Sequence, residues 1–116
     1  MIQVSPNATI CVVSTPISFA GRLKSTIGIC RDLLQLEPMN GCYIVFRNRS
    51  GTMLRVIFYD VDGFWLCEKT FSQGSIKKWF DGDGISQVSA RELSVLLWRG
   101  DIQKVQFPKF WKKMTQ

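Results

Sequence analysis

Three apolar runs, Cys42-Tyr-Ile-Val-Phe-Arg-Asn48, Met53-Leu-Arg-Val-Ile-Phe-Tyr-Asp60 and Phe64-Trp-Leu-Cys-Glu-Lys-Thr-Phe71, follow one another with only short gaps, and their reading decides the fold. β-Branched and aromatic residues dominate each run, which suits a pleated, half-buried strand. The gaps, Arg49-Ser50-Gly51-Thr52 and Val61-Asp62-Gly63, carry turn residues, and glycine there readily takes the positive φ of tight hairpins. The expected unit is therefore an antiparallel meander. Successive strand residues point to opposite faces. Sorting by parity puts Cys42, Ile44, Phe46, Leu54, Val56, Phe58, Phe64 and Leu66 on one almost wholly apolar face, expected to pack on helices. The other parity set, Tyr43, Val45, Arg47, Met53, Arg55, Ile57, Tyr59, Trp65, Cys67 and Lys69, mixes cations with large aromatics and is expected to be partly open.

Working outward, Thr9-Ile-Cys-Val-Val-Ser14 is an apolar run stopped by Pro16 and reads as a buried strand. From Phe19 the apolar spacing changes: Leu23, Ile27, Cys30 and Leu34 mark one face of a helix that ends before Pro38. The stretch from Gly74 to Gln87 lacks a period and reads as a loop carrying Trp79 and Phe80. Ser89-Ala-Arg-Glu92 matches a capping box, and a helix with Leu93, Leu96 and Leu97 inward follows, ended by Gly100. Residues 104–113 hold four lysines, no acid, and Phe107, Phe110 and Trp111. The expected architecture is a single α+β domain over residues 1–103, with a meander of three or more strands packed by two helices. A basic aromatic tail, 104–116, would follow.

A chain of 116 residues, 46% hydrophobic, supports one modest core. No apolar run approaches the roughly 20 residues needed to cross a bilayer, and the amino terminus lacks a basic-then-apolar leader, so a cytoplasmic protein with no membrane contact is expected. Cys11, Cys30, Cys42 and Cys67 are widely spaced and there is no histidine. Reduced, mostly buried thiols are expected, with no metal site, no cofactor and no catalytic thiol. The formal charge of +6 points to a polyanionic partner, because Lys and Arg gain affinity for phosphates by releasing counterions.

At larger scale the order of motifs is distinctive. Gly41-Cys-Tyr-Ile-Val-Phe-Arg-Asn-Arg-Ser50, then Leu54-Arg-Val-Ile-Phe-Tyr-Asp60, then Asp62-Gly-Phe-Trp-Leu66 and Lys69, resembles the central block of the TnpB-type accessory protein of insertion sequences of the family numbered 66. Leu93 to Leu97 with Gly100-Asp101-Ile102 looks like that family's carboxy-terminal helix. The match runs from about Leu36 to Ile102. Ser18-Phe-Ala-Gly-Arg22 stands where the family has an acid and paired bases. The resemblance implies a non-enzymatic accessory role in transposition, with the transposase of the same element as partner, and it carries over no active site.

Candidate site residues follow from the open parity set. Tyr43, Arg47, Arg49, Arg55, Tyr59, Trp65 and Lys69, joined by Lys77 and Lys78, could bind nucleic acid, bases stacking on aromatics while guanidinium groups hold phosphates. The same surface could instead be covered by a loop or bind a protein such as the transposase, with Val45 and Ile57 contributing. Asp60 and Asp62 pair two carboxylates near a hairpin tip, which turn chemistry explains better than a metal does. Oligomeric state is left open by the sequence.

Overall fold

The computed structural model describes residues 8–76, 79–80 and 84–97. Five strands form one sheet: β1 (Ile10–Val13), β2 (Tyr43–Arg47), β3 (Met53–Asp60), β4 (Gly63–Thr70) and β5 (Ile85–Val88). Two helices, α1 (Leu23–Asp32) and α2 (Ala90–Leu97), and a single 3-10 turn (Pro38–Asn40) complete the described elements. Among the described residues no helix is long and apolar enough to cross a membrane.

The meander is present as β2-β3-β4, but the sheet extends further and is mixed, with order β4-β3-β2-β1-β5. β1 lies parallel to β2, the connection between them carrying α1, and β5 closes the other edge antiparallel to β1. β5 falls in the stretch expected to be loop. Its four residues are too few for periodicity to register, and Val88 alone among them is buried. The strand is held from outside, by pairing with the fully buried β1.

The register corrects the expected sorting of faces. Ile44 pairs with Ile57 and Val45 with Val56 across β2 and β3, while Ile57 pairs with Leu66 and Phe58 with Trp65 across β3 and β4. Each partner pair joins an even to an odd residue, because each hairpin closes over an even number of residues, and this inverts parity from strand to strand. One face therefore carries Val13, Ile44, Phe46, Ile57 and Leu66 against Leu23, Ile27 and Cys30 of α1. The opposite face carries Ile10, Val12, Val45, Val56 and Val88 against Leu93 and Ala90 of α2. The helices thus lie on opposite faces, and both cover core. Val45 and Ile57, expected on a partly open surface, are fully buried.

Local chemistry explains the connections. Asn48 Oδ1 accepts from the amides of Thr52 (2.9 Å) and Met53 (3.0 Å), and its Nδ2 donates to Thr52 Oγ1. Gly51 sits at φ 72° in that turn, and its carbonyl accepts from Ile76 N at 2.8 Å. The β3-β4 turn is tighter than expected: Asp60 pairs with Gly63, leaving Val61 and Asp62 as the loop, and Gly63 keeps a negative φ. The capping box forms as expected, Ser89 N donating to Glu92 Oε1 (2.9 Å) and Glu92 N to Ser89 Oγ (3.1 Å).

Candidate functional site

The α2 face of the meander is ordered into three rows by cross-strand register. Tyr43, Phe58 and Trp65 form an aromatic row, with ring centroids 4.6 Å apart for Tyr43–Phe58 and 6.2 Å for Phe58–Trp65. Val45, Val56 and Cys67 form the next row, and Arg47, Leu54 and Lys69 the last. Burial decreases toward β4: Val45 and Val56 lie under α2, whereas Trp65 at the edge strand is 54% exposed.

The two ends of this face differ in charge. At the turn between β2 and β3, Arg47 and Lys69 flank Leu54, and Arg49 is exposed in the adjoining turn. Arg47 rests its guanidinium 5.7 Å from the ring centroid of Trp79, whose indole N–H donates to Val13 O at 2.9 Å. Arg47 Nε is buried and has no hydrogen-bond partner among the described residues. Arg49 turns toward the α1 side, where it lines a mostly apolar groove of about 620 Å³ with Pro16, Ile17, Leu33 and Ile85. At the opposite end, Asp60 Oδ2 accepts the Trp65 indole N–H at 2.7 Å, and Val61 in the turn is 97% exposed.

Two expected site residues are placed elsewhere. Arg55 belongs to the α1 face and is 1% exposed. Its Nε donates to Glu68 Oε2 (2.8 Å). One terminal nitrogen donates to Gly21 O and Thr26 Oγ1 (both 2.8 Å); the other donates to Phe19 O (3.1 Å) and lies 2.7 Å from Glu68 Oε2 as an ion pair. All three nitrogens of the guanidinium are engaged, and its carbon lies 4.3 Å from the ring centroid of Phe19. Arg55 is thus a structural arginine that ties the entry to α1 onto the sheet, and it is withdrawn from any interface. Tyr59 also lies on the α1 face, edge-on to Phe64 at 4.9 Å. Lys77 and Lys78 lie outside the described residues, as does the lysine-rich tail.

Sequence reading missed Glu68, Thr26 and Phe19 as partners of Arg55. The signal was present for one of them. Once the β3-β4 loop is two residues long, the register forces Arg55 opposite Glu68. Trp79 was legible only as an aromatic in a loop, because its partner is a backbone carbonyl 66 residues away.

Charge and thiol chemistry set what the site can do. Lys77, Lys78, Arg99, Lys104, Lys109, Lys112 and Lys113 lie outside the described residues against Asp81, Asp83 and Asp101, so four of the six net positive charges are there. Burial pushes the Cys30 thiol up to about 12, and burial with the neighbouring Cys42 raises Cys11 as well, so both stay protonated and poorly nucleophilic. On the exposed side of α1, the hydrogen bond from Arg31, supported by the amide of Met39, holds the Glu37 carboxyl below the usual range. Among the described residues no three Cys, Asp or Glu side chains gather as a metal cluster would require.

Comparison with known proteins gives a consistent context. The model of a family described as IS66 Orf2 like protein matches residues 8–107. An uncharacterized protein of Sinorhizobium fredii, y4hO, is 36% identical over 67 residues, or 58% of this chain, and the chain spans 58% of the length of that curated relative. No solved structure matches the chain.

Proposed function

The chain belongs to the IS66 Orf2-like family of transposition accessory proteins, and from that premise we propose that it is a non-enzymatic accessory that binds DNA through the basic end of its sheet. The observation that carries the reading is the placement of Arg47 and Lys69 on one face at one end of β2, β3 and β4, with Arg49 in the adjoining turn and a buried Arg47 Nε left unpartnered among the described residues. Guanidinium and ammonium groups on a rigid sheet end suit phosphate contacts, which supply sequence-independent affinity. The non-enzymatic part is supported by the protonated Cys11 and Cys30 thiols and by Asp60, whose carboxylate is engaged by the Trp65 indole.

Filter binding to a duplex and to a single strand across a salt series tests the reading. Affinity should fall with rising salt. On duplex, Arg47→Ala, Arg49→Ala and Lys69→Ala should each lower the log–log slope by about 0.9 for every phosphate that the parent side chain neutralises. Absence of salt-dependent affinity at low ionic strength would sink it.

A second reading, an adaptor that holds the transposase of the same element without touching DNA, is favoured by the exposed Trp65 at the edge of the aromatic row. Transposase co-purification that is lost with Trp65→Ala and kept with Arg47→Ala would select it.

A further inference from the structure

We propose that the β3-β4 hairpin tip is a docking patch for a segment of a partner protein that presents Arg or Lys beside an apolar side chain. The inference deepens the adaptor reading and rests on it; the DNA reading is independent of it.

Three observations define the chemistry of the occupant. First, the patch is apolar and presented outward. Val61 is 97% exposed, and Trp65 is 54% exposed with only part of its surface against Phe58. Second, Trp65 is held in one orientation before any partner arrives. Its indole N–H is fixed on Asp60 Oδ2 at 2.7 Å and its ring is near-parallel to Phe58, at 16° between planes. A preoriented ring loses little side-chain freedom on binding. Third, the local charge is negative although the chain as a whole carries +6: between Arg55 and Glu68 the only charged residues are Asp60 and Asp62.

These features select against phosphate and for a cation. A nucleic-acid strand stacking on Trp65 would bring its phosphates beside two carboxylates. A Lys or Arg side chain meets instead an electron-rich indole face with carboxylates at its edge, and the two attractions act in the same direction. The aliphatic stem of that side chain, or an apolar neighbour, would cover Val61. Charge complementarity therefore names the occupant as a cationic and apolar peptide segment.

The test uses the full chain and four capped tetrapeptides: Leu-Arg-Leu-Arg, Leu-Gln-Leu-Gln, Gly-Arg-Gly-Arg and Leu-Glu-Leu-Glu. Binding is read from the Trp65 indole N–H resonance, assigned with Trp65→Phe because the chain has four tryptophans. The first peptide should shift that resonance saturably and bind roughly threefold to tenfold more tightly than the second or third. Asp60→Asn, which keeps an acceptor for the indole, and Asp62→Asn should together remove that preference while leaving DNA affinity at physiological salt within about twofold of the parent.

Equal binding of the glutamine peptide, preference for the glutamate peptide, or no shift of the Trp65 resonance would overturn the proposal. Concentration-dependent self-association abolished by the two Asn substitutions would overturn it too, because the occupant would then be a second copy. Transposase capture separates the proposal from the reading under it. Capture that needs Trp65 but is indifferent to the Asn substitutions rejects the cationic occupant and keeps the adaptor. Capture indifferent to Trp65 rejects both.

Discussion

Arg55 shows what a side chain's partners decide that its type does not. A guanidinium on an alternating strand beside aromatics reads as a phosphate ligand, yet all three of its nitrogens are engaged inside the protein, on one carboxylate, two carbonyls and a hydroxyl. Replacing it by Met would leave Glu68, Thr26 and two backbone carbonyls without their donor, at a cost of about 3–5 kcal/mol, measurable by urea unfolding. Arg55→Met combined with Glu68→Leu should recover a large part of that loss, because the partner's uncompensated charge goes with it. Arg55→Lys should destabilise as well, since an ammonium cannot reproduce the fork, while the DNA salt slope of the folded protein stays where it was. A slope that fell would return Arg55 to the interface. Cys30 gives a second residue-level prediction. Its folded-state pKa of about 12 lies above the ordinary thiol value of 9.0, so its contribution to stability is complete below pH 9 and is lost as pH rises toward 12. In that window the thiol ionises only in the unfolded chain, and each pH unit should weaken folding roughly tenfold through this group. Cys30→Ala should flatten the alkaline limb of the stability curve by about one proton, whatever its effect near neutrality.

Among the elements, those whose cause is local were the ones legible in the sequence. The capping box at Ser89 and Glu92, the β2-β3 turn at Gly51, the three meander strands and the buried β1 all appear as read. Ser89→Ala should accordingly cost about 1 kcal/mol, through the loss of one cap hydrogen bond. Gly51→Ala should cost about 1–2 kcal/mol, because alanine is penalised at φ 72°. A midpoint shift in urea with an unchanged slope would check each. What sequence did not show is whatever depends on pairing at a distance. β5 exists because β1 offers it a ladder, and β1 is parallel to β2 only because α1 returns the chain to the same end. The error over faces has a more instructive origin. Parity is kept across a hairpin only when an odd number of residues separates the paired positions, whereas residues 48–53 lie between Arg47 and Leu54 and residues 61–62 between Asp60 and Gly63, and both even counts invert it. The two registers together move Arg55 and Tyr59 away from Tyr43 and Arg47 on one side and from Trp65 and Lys69 on the other. Part of the candidate site was therefore legible by residue type, and its division between two faces was not.

At the scale of the whole molecule the meander is a dipolar plate, with Arg47, Arg49 and Lys69 at one end of β3 and Asp60 and Asp62 at the other. β3 runs from Met53 to Asp60, so at about 3.4 Å per residue the ends lie about 24 Å apart. Near physiological ionic strength charges are screened over about 8 Å, so neither end should sense the other. Asp60→Asn with Asp62→Asn should then leave DNA affinity within about twofold of the parent, and Arg47→Ala with Arg49→Ala should leave the docking of a cationic peptide equally unaffected. At about 10 mM salt the screening length grows to about 30 Å and the separation no longer isolates them. Each acid–phosphate pair then contributes about 0.1 kcal/mol of repulsion across that distance in water, the remaining screening included. Two acids facing several bound phosphates sum to about 0.5 kcal/mol, so the Asn variant should bind DNA about twofold more tightly at low salt, and the gain should vanish at high salt. A gain that persisted at physiological salt would mean that the phosphates run along the sheet to the hairpin tip, and the two ends would then be one nucleic-acid surface.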